Sequence, residues 1–172
     1  EAVRWYNKHI LALSDSIDRK GMMNSEDSLS LGSSYGDLGD IYKEGGHGIE
    51  RNLIKAVSCF EKAAELGWST SVSIYLIAEL YMEGDERVER DANQAVRLYK
   101  KAYDNGFDAA AFELGECYMK GLGVEKNEEK AFEWYEKAAA DQKHVRAMNR
   151  LSVCYLDGRG TAKDEEKGIY YD

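Results

Sequence analysis

The sequence contains no proline, only three cysteines and no long apolar run. Because proline breaks the interior of a helix, its absence favours a chain that is mostly helical. Three cysteines are too few for a disulfide-stabilised scaffold. A membrane-spanning helix needs about 20 mostly apolar residues, so we expect no membrane span.

Basic residues are outnumbered: 23 lysines and arginines stand against 32 acidic residues, and the net charge is −9. This excess argues against nucleic-acid binding, which needs a basic surface. The 172 residues are 44% hydrophobic, enough to bury a core. The chain does not begin with Met and looks like a piece of a longer protein. No signal peptide or Asn-x-Ser/Thr sequon is visible, so we expect a cytoplasmic protein, with the ER lumen as the alternative.

The main feature that the sequence does contain is an internal repeat. Tyrosines recur 37 to 39 residues apart, an apolar residue precedes each by four positions, and a small residue follows that apolar residue. Small residues at this spacing let two helices approach closely. The pattern predicts four helices, called the A helices, over residues 28–44, 70–83, 108–120 and 144–157, around Tyr42, Tyr81, Tyr118 and Tyr155.

A second apolar stripe follows each of these tyrosines by 13 or 14 residues. In one repeat it holds Ala131, Trp134, Tyr135 and Ala138, the spacing of an amphipathic helix, and we expect Trp134 to be buried. The stripe predicts B helices over residues 1–13, 52–66, 91–105, 127–141 and 164–172. Good N-cap residues precede the B helices, and glycines that suit a helix end follow the A helices. These residues are Asn52, Asp91, Asn127 and Asp164, and Gly45, Gly84, Gly121 and Gly158.

The predicted fold is an all-α solenoid of stacked helical hairpins, because one hairpin cannot bury its own apolar face. Residues 1–13 form the second helix of a truncated repeat, and residues 14–29 form an acidic, serine-rich insertion. Repeats 1 to 3 then span residues 30–67, 68–106 and 107–143, and a truncated fourth repeat spans residues 144–172.

Two stretches carry a family resemblance. Residues 114–124, LGECYMKGLGV, and residues 130–139, KAFEWYEKAA, are similar to a Sel1-like repeat, a relative of the tetratricopeptide repeat. The glycines between the two helices and the missing proline distinguish the pattern from the tetratricopeptide repeat itself. The resemblance implies a protein-binding superhelix and an adaptor function.

A narrower resemblance concerns the first part of the chain. Residues 1–7, EAVRWYN, followed by an acidic polar stretch and by residues 45–52, GGHGIERN, resemble the C-terminal repeat region of the eukaryotic elongation factor 2 kinases. This resemblance implies a domain that brings elongation factor 2 to an α-kinase domain, which would lie upstream of this chain. The alternative is an adaptor subunit of another complex, such as an ER-associated degradation or signalling assembly.

The insertion at residues 14–29 has two interpretations. It is either a surface loop of the kind that repeats tolerate, or a regulatory segment that is phosphorylated or docks a partner. Ser25 and Ser28, which flank Glu26 and Asp27, are the candidate phosphorylation sites.

No pattern predicts catalytic, cofactor-binding or metal-ligating residues in this piece, so we expect no enzymatic activity from it. His9 fits a packing role, and His47 lies in a loop position that other residues fill in other repeats. The cysteines, Cys59, Cys117 and Cys154, occupy apolar positions of the stripes and fit the role of small buried residues.

Acidic residues flank the apolar columns of the A helices. The candidate partner-binding residues are Asp37, Asp40, Glu79, Glu83, Glu113, Glu116 and Asp157, with Glu44 beside them. The alternatives are a solvated helix face, as on any soluble repeat protein, and an acidic groove for a basic segment of a partner protein.

Overall fold

The computed structural model describes residues 2–20, 24–45, 49–84, 88–140 and 144–171. Nine α-helices form the regular structure of these residues, and the predicted all-α class is confirmed. In chain order they are α1 Ala2–Lys20, α2 Ser25–Glu44, α3 Leu53–Glu65, α4 Thr70–Glu83, α5 Ala92–Asp104, α6 Ala109–Lys120, α7 Glu128–Ala139, α8 Val145–Asp157 and α9 Glu165–Tyr170. The A helices are therefore α2, α4, α6 and α8, and the B helices are the odd-numbered ones.

The chain divides into two compact units, residues 1–90 and residues 91–172. In the first unit, α1 packs against α2, α2 against α3, and α3 against α4. In the second unit, each helix from α5 to α8 packs against the next one along the chain, up to α9. Each unit is thus built from antiparallel hairpins whose apolar faces cover their sequence neighbours.

The predicted caps of the B helices are confirmed. The side chains of Asn52, Asp91, Asn127 and Asp164 each accept a hydrogen bond from the backbone N–H three residues later, at 2.8 to 3.1 Å. Each satisfies one of the backbone donors that a helix start leaves without a partner. All four A helices end at the predicted glycine, which has a positive φ angle in every case.

The column of small residues on the A helices makes room for aromatic rings of the B helices. A Cβ on Gly39 would lie 2.6 Å from the Phe60 ring, and one on Gly115 would lie 2.5 Å from the Tyr135 ring. Phe60 and Tyr135 are fully buried as a result. The close helix approach predicted from these residues is therefore present in both units.

The expectation that Trp134 is the buried aromatic residue of its repeat is wrong. Trp134 is only half-buried, packs edge-on against Tyr103 with 5.2 Å between ring centroids, and has the Lys137 ammonium 3.9 Å above its ring. The next residue, Tyr135, is the buried one, because it faces the space left by Gly115.

The surface-loop interpretation of residues 14–29 is also wrong for the described part of that segment. Helix α1 continues to Lys20, and α2 already begins at Ser25. The segment contains no proline that would stop α1, and Asn24 caps α2 by accepting a hydrogen bond from the Asp27 N–H at 2.7 Å. Most of the insertion therefore lengthens the two flanking helices.

In three repeats, the residue just before the first small residue of the B-helix stripe is a lysine, and its ammonium group lies above the ring of the repeated tyrosine. The ammonium groups of Lys55 and Lys130 are 5.1 and 5.6 Å from the ring centroids of Tyr42 and Tyr118, and Lys167 lies 5.3 Å from that of Tyr155. These distances suit a cation–π interaction within each hairpin. The corresponding residue of the remaining repeat is Gln94.

Two loop glycines of the second unit allow the backbones of successive hairpins to lie in close contact. A Cβ on Gly123 would overlap the carbonyl oxygen of Ala92 at the start of α5. A Cβ on Gly160 would overlap the carbonyl oxygen of Glu128 at the start of α7. Both glycines also have φ near 70°, so no other residue fits these positions without strain.

Candidate protein-binding surfaces

The first unit carries an acidic surface on its A helices, formed by Asp37, Asp40 and Glu44 of α2 and by Glu79 and Glu83 of α4. Asp40 and Glu44 are exposed one helical turn apart. Partial burial, followed by the charges of Asp37, Glu44 and Glu79, raises the pKa of Asp40, although Lys43 acts in the opposite direction. This crowding of like charges is the electrostatic feature that a basic ligand would relieve.

Other members of the acidic surface are engaged within the unit. Lys43 donates to Glu79 at 2.8 Å, and the Tyr75 hydroxyl donates to the same carboxylate at 3.0 Å. Arg51 forms an ion pair with Glu83 at 2.9 Å. Asp37 accepts a hydrogen bond from the Tyr6 hydroxyl, whose pKa is raised by burial and by that carboxylate. Asp40 and Glu44 are thus the carboxylates of this surface best placed to meet a ligand.

In the second unit, Glu116 is not an exposed acidic residue of the kind that the sequence predicts. Its side chain is only 10% exposed. Its carboxylate accepts hydrogen bonds from the Tyr135 hydroxyl at 2.9 Å and from Arg150 Nε at 2.7 Å, and Lys120 Nζ lies 2.5 Å away. Burial alone would raise the pKa of Glu116, but the hydrogen bonds from Lys120, Arg150 and Tyr135 together lower it.

The remaining predicted acidic residues of the second unit are also close to cations. Glu113 lies 3.8 Å from Arg146, and Asp157 accepts from Arg159 Nε at 3.1 Å. The structure therefore brings Asp37, Asp40 and Glu79 together in the first unit and pairs Glu83 with Arg51. In the second unit it distributes Glu113, Glu116 and Asp157 among basic side chains.

A cavity of about 270 Å³ lies between α6 and α8 of the second unit. Four cationic side chains and two carboxylates line it: Lys120, Lys126, Arg150, Arg159, Glu116 and Glu128. We call it the cationic pocket. The sequence does not predict it, because Lys126 and Arg159 come from loops and join the helix residues only in the folded chain.

The two candidate phosphorylation serines have different environments. Ser25 is exposed in the first turn of α2. Ser28 is half-buried, and its hydroxyl donates to the carbonyl oxygen of Leu66 at 2.9 Å. Phosphorylation of Ser25 stays a prediction, and Ser28 is engaged in a contact that a phosphate would break.

The cysteines are buried, as the sequence predicts, and burial raises the pKa of each thiol, to about 12 for Cys117 and about 11 for Cys154. Such thiols are poor nucleophiles at neutral pH. His9 stacks on Trp5 with 5.1 Å between ring centroids, and His47 lies outside the described residues. Within the part of the chain that the structure describes, no group of side chains could hold a metal ion, and no helix is long and apolar enough to cross a membrane.

Helical hairpins, capped at Asn or Asp and joined by glycine-containing loops, define a helical-repeat protein. The Sel1 repeat model matches residues 33–68, 71–107, 108–142 and 145–171. The chain therefore belongs to the Sel1 repeat family. Members of this family generally act as protein-interaction scaffolds and are typically non-catalytic.

Solved structures support this assignment. The chain is 25% identical to a Sel1 repeat protein from Oxalobacter formigenes, with a TM-score of 0.70, over 86% of this chain and 59% of that one. It is 26% identical to a protective antigen of uropathogenic Escherichia coli with an SLR fold, with a TM-score of 0.69, over 94% of this chain and 32% of that one. It thus spans less than two thirds of either protein. No curated protein matches the chain.

Proposed function

We propose that this chain is a non-catalytic protein-interaction scaffold and that the acidic surface of its first unit binds a basic segment of a partner protein. The observation that carries the proposal is the clustering of Asp37, Glu44 and Glu79 around Asp40, whose pKa is raised first by partial burial and then by these charges. A cationic ligand would relieve this repulsion and would also be steered toward the surface before contact.

The surface suits a short basic segment better than a large folded partner. Lys43 and Arg51 neutralise part of the charge at Glu79 and Glu83, and this leaves Asp40 and Glu44 as a compact anionic patch along one face of α2. Two carboxylates one turn apart match the side-chain spacing of lysine or arginine residues in an extended or helical peptide.

The test is a titration of the full chain, followed by amide NMR, with the capped peptide acetyl-Lys-Leu-Lys-Leu-Lys-amide. We expect shifts at residues 37–44 that weaken steeply as salt is raised, because exposed charges are screened. The variant Asp40→Lys with Glu44→Lys should abolish them. The matched control is Glu61→Lys with Glu65→Lys, which makes the same charge change on exposed positions of α3.

Equal binding by both double variants would place recognition elsewhere on the chain. Glu116 is left out of the test because its change would disturb the buried network rather than a binding surface.

A second candidate function is recruitment of elongation factor 2 to an upstream α-kinase domain. It rests only on the resemblance to that kinase region read from residues 1–7 and 45–52 of the sequence, and residues 46–48 lie outside the described part of the chain. Purified elongation factor 2 in the same titration distinguishes the two candidates. Binding that Asp40→Lys with Glu44→Lys removes would favour recruitment through the acidic surface.

The other candidate is an adaptor subunit of an ER-associated degradation or signalling assembly. We propose a cytoplasmic location, supported by the missing sequons, and an ER-lumenal location is the alternative. Fractionation of cells that express the full-length protein distinguishes them, because a lumenal protein would be protected from added protease until the membrane is dissolved.

A further inference from the structure

We propose that the cationic pocket of the second unit binds an acidic segment of a partner protein, by accepting one of its carboxylates beside an apolar side chain. The proposal depends on the proposed scaffold function for one point only, namely that the ligand of the pocket is a polypeptide. It concerns a site on α6, α8 and the loops that follow them, and a ligand of the opposite charge.

The charge of the pocket is the first observation. Lys120, Lys126, Arg150 and Arg159 line it against only Glu116 and Glu128, although the chain as a whole has a net charge of −9. Asp157, which accepts from Arg159, lies outside the lining and still leaves the cations in excess. A local cationic excess in an acidic protein is a specific arrangement that attracts an anionic ligand.

The second observation is that one of these cations is held in a fixed orientation. Arg150 donates through Nε to Glu116 at 2.7 Å and through Nη2 to the same carboxylate at 3.4 Å. The Tyr135 hydroxyl donates to the same carboxylate oxygen, Oε1, as Arg150 Nε does, so the carboxylate and the guanidinium are oriented before any ligand arrives. Among the described residues, Arg150 Nη1 has no acceptor, and its N–H groups are available to a ligand carboxylate.

Three further cations around this anchor are accessible. The side chains of Lys120, Lys126 and Arg159 are 55%, 59% and 51% exposed. They come from the end of α6, the loop before α7 and the loop after α8, so they surround the pocket rather than follow one helix. Each of the three is also paired with a carboxylate: Lys120 with Glu116, Lys126 with Glu128 at 2.8 Å, and Arg159 with Asp157 at 3.1 Å. A ligand carboxylate at Arg150 would therefore share these cations with the carboxylates of the chain.

The apolar part of the lining indicates the class of ligand. Met119, Val153 and Cys154 contribute to the pocket beside the charged groups. A cavity of about 270 Å³ is smaller than a typical small-molecule site and has room for one or two side chains. An acidic residue next to a leucine or a similar residue would satisfy both parts, whereas a free phosphate would leave the apolar part uncovered.

The test uses amide NMR of the full chain with three capped probes: acetyl-Glu-Leu-Glu-Leu-Glu-amide, the same peptide with Gln for Glu, and inorganic phosphate. We expect the acidic peptide at about 1 mM to shift the signals of residues 116–120, 150–154 and 159. The glutamine peptide should leave them unchanged, and phosphate should shift them less than the acidic peptide does.

The variant is Lys126→Gln with Arg159→Gln, which removes two exposed cations and leaves the Glu116 network in place. It should weaken binding of the acidic peptide about tenfold, which corresponds to about 1.4 kcal/mol. The matched control is Lys100→Gln with Lys101→Gln, two exposed positions of α5 outside the pocket, which should bind as the unchanged chain does.

Three results would overturn the proposal: no shift at these residues with the acidic peptide, equal binding by both double variants, or phosphate shifts as large as those of the peptide. None of them bears on the acidic surface, which is tested with a basic peptide and with substitutions in the other unit. The two proposals can therefore fail separately.

Discussion

Asp40 and Glu116 occupy the same place in their repeats, two residues before Tyr42 and Tyr118, yet their environments are opposite. Asp40 is exposed among other carboxylates, and its pKa is raised. Glu116 is buried among hydrogen-bond donors, and its pKa is lowered. The same repeat position therefore holds a surface charge in the first unit and a structural charge in the second.

The difference arises from the neighbouring helices rather than from the A helix itself. The B helix of the first unit presents Phe60 beside Gly39, and a phenyl ring has no hydroxyl to donate. The B helix of the second unit presents Tyr135 at the equivalent place, and the next A helix adds Arg150. The same backbone arrangement thus gives the carboxylate two different environments, depending on which donors surround it.

Replacing the carboxylate side chain with alanine should distinguish Glu116 from Asp40 most clearly, through the change in the free energy of unfolding. Glu116→Ala removes the acceptor of Tyr135 and Arg150 and should lower the free energy of unfolding by about 2–3 kcal/mol, below the range for a fully buried pair because Arg150 can reach water. Asp40→Ala should change it by less than about 0.5 kcal/mol. Urea denaturation of both variants measures this, and equal losses would contradict the comparison.

A smaller loss of stability is expected when Tyr135 is replaced with phenylalanine, the residue that the first unit has at the equivalent position, Phe60. Tyr135→Phe keeps the ring against Gly115 and removes only the hydroxyl that donates to Glu116, so it should cost about 1–2 kcal/mol. The control is Tyr118→Phe, which removes a hydroxyl from a half-buried tyrosine. If both variants unfold at the same denaturant concentration, the hydroxyl of Tyr135 does not stabilise the network.

The pH dependence of stability should differ between the positions. Because the pKa of Glu116 is lower in the folded chain, its ionised form stabilises the fold above the ordinary pKa of a glutamic acid. That contribution is lost as the pH falls through the lowered pKa. The cost of Glu116→Gln should therefore shrink in acid, as measured by thermal unfolding between neutral pH and about pH 2.

The smallest effect has the opposite sign. Because the pKa of Asp40 is raised in the folded chain, its ionised form slightly opposes folding once the pH is above that pKa. Asp40→Asn should stabilise the chain at neutral pH by less than about 0.5 kcal/mol, because exposed charges are screened by water and salt. The gain should vanish in acid, where both states are protonated, and Glu61→Gln on α3 should show no such gain.

Much of the fold could be predicted because its signals are local and recur. A cap such as Asn52 acts on a residue three positions away, and a helix end such as Gly121 needs only its own backbone angle. Each signal appears in several repeats, so one weak instance does not alter the prediction. The continuation of α1 to Lys20 was missed because no repeat supplies a counterpart to that segment.

The candidate site was predicted less well because it depends on contacts between distant residues. The placement of Glu116 is decided by Arg150, which lies 34 residues further along the chain. The choice between Trp134 and Tyr135 as the buried aromatic residue depends on the space at Gly115 in another helix. Hydrophobic spacing identifies the stripe to which both aromatic residues belong, but not which of them faces that space.

The contact of Gly123 and Gly160 with the start of an earlier B helix has a consequence for engineering. Each of these loops belongs sequentially to one repeat and structurally to the repeat before it. A recombinant cassette that is cut before such a glycine, or in the middle of a helix, would separate the glycine from the backbone that it touches. Arrays designed from this protein should therefore be joined between the loop glycine and the next B helix, so that each cassette carries a glycine together with the helix start on which it rests.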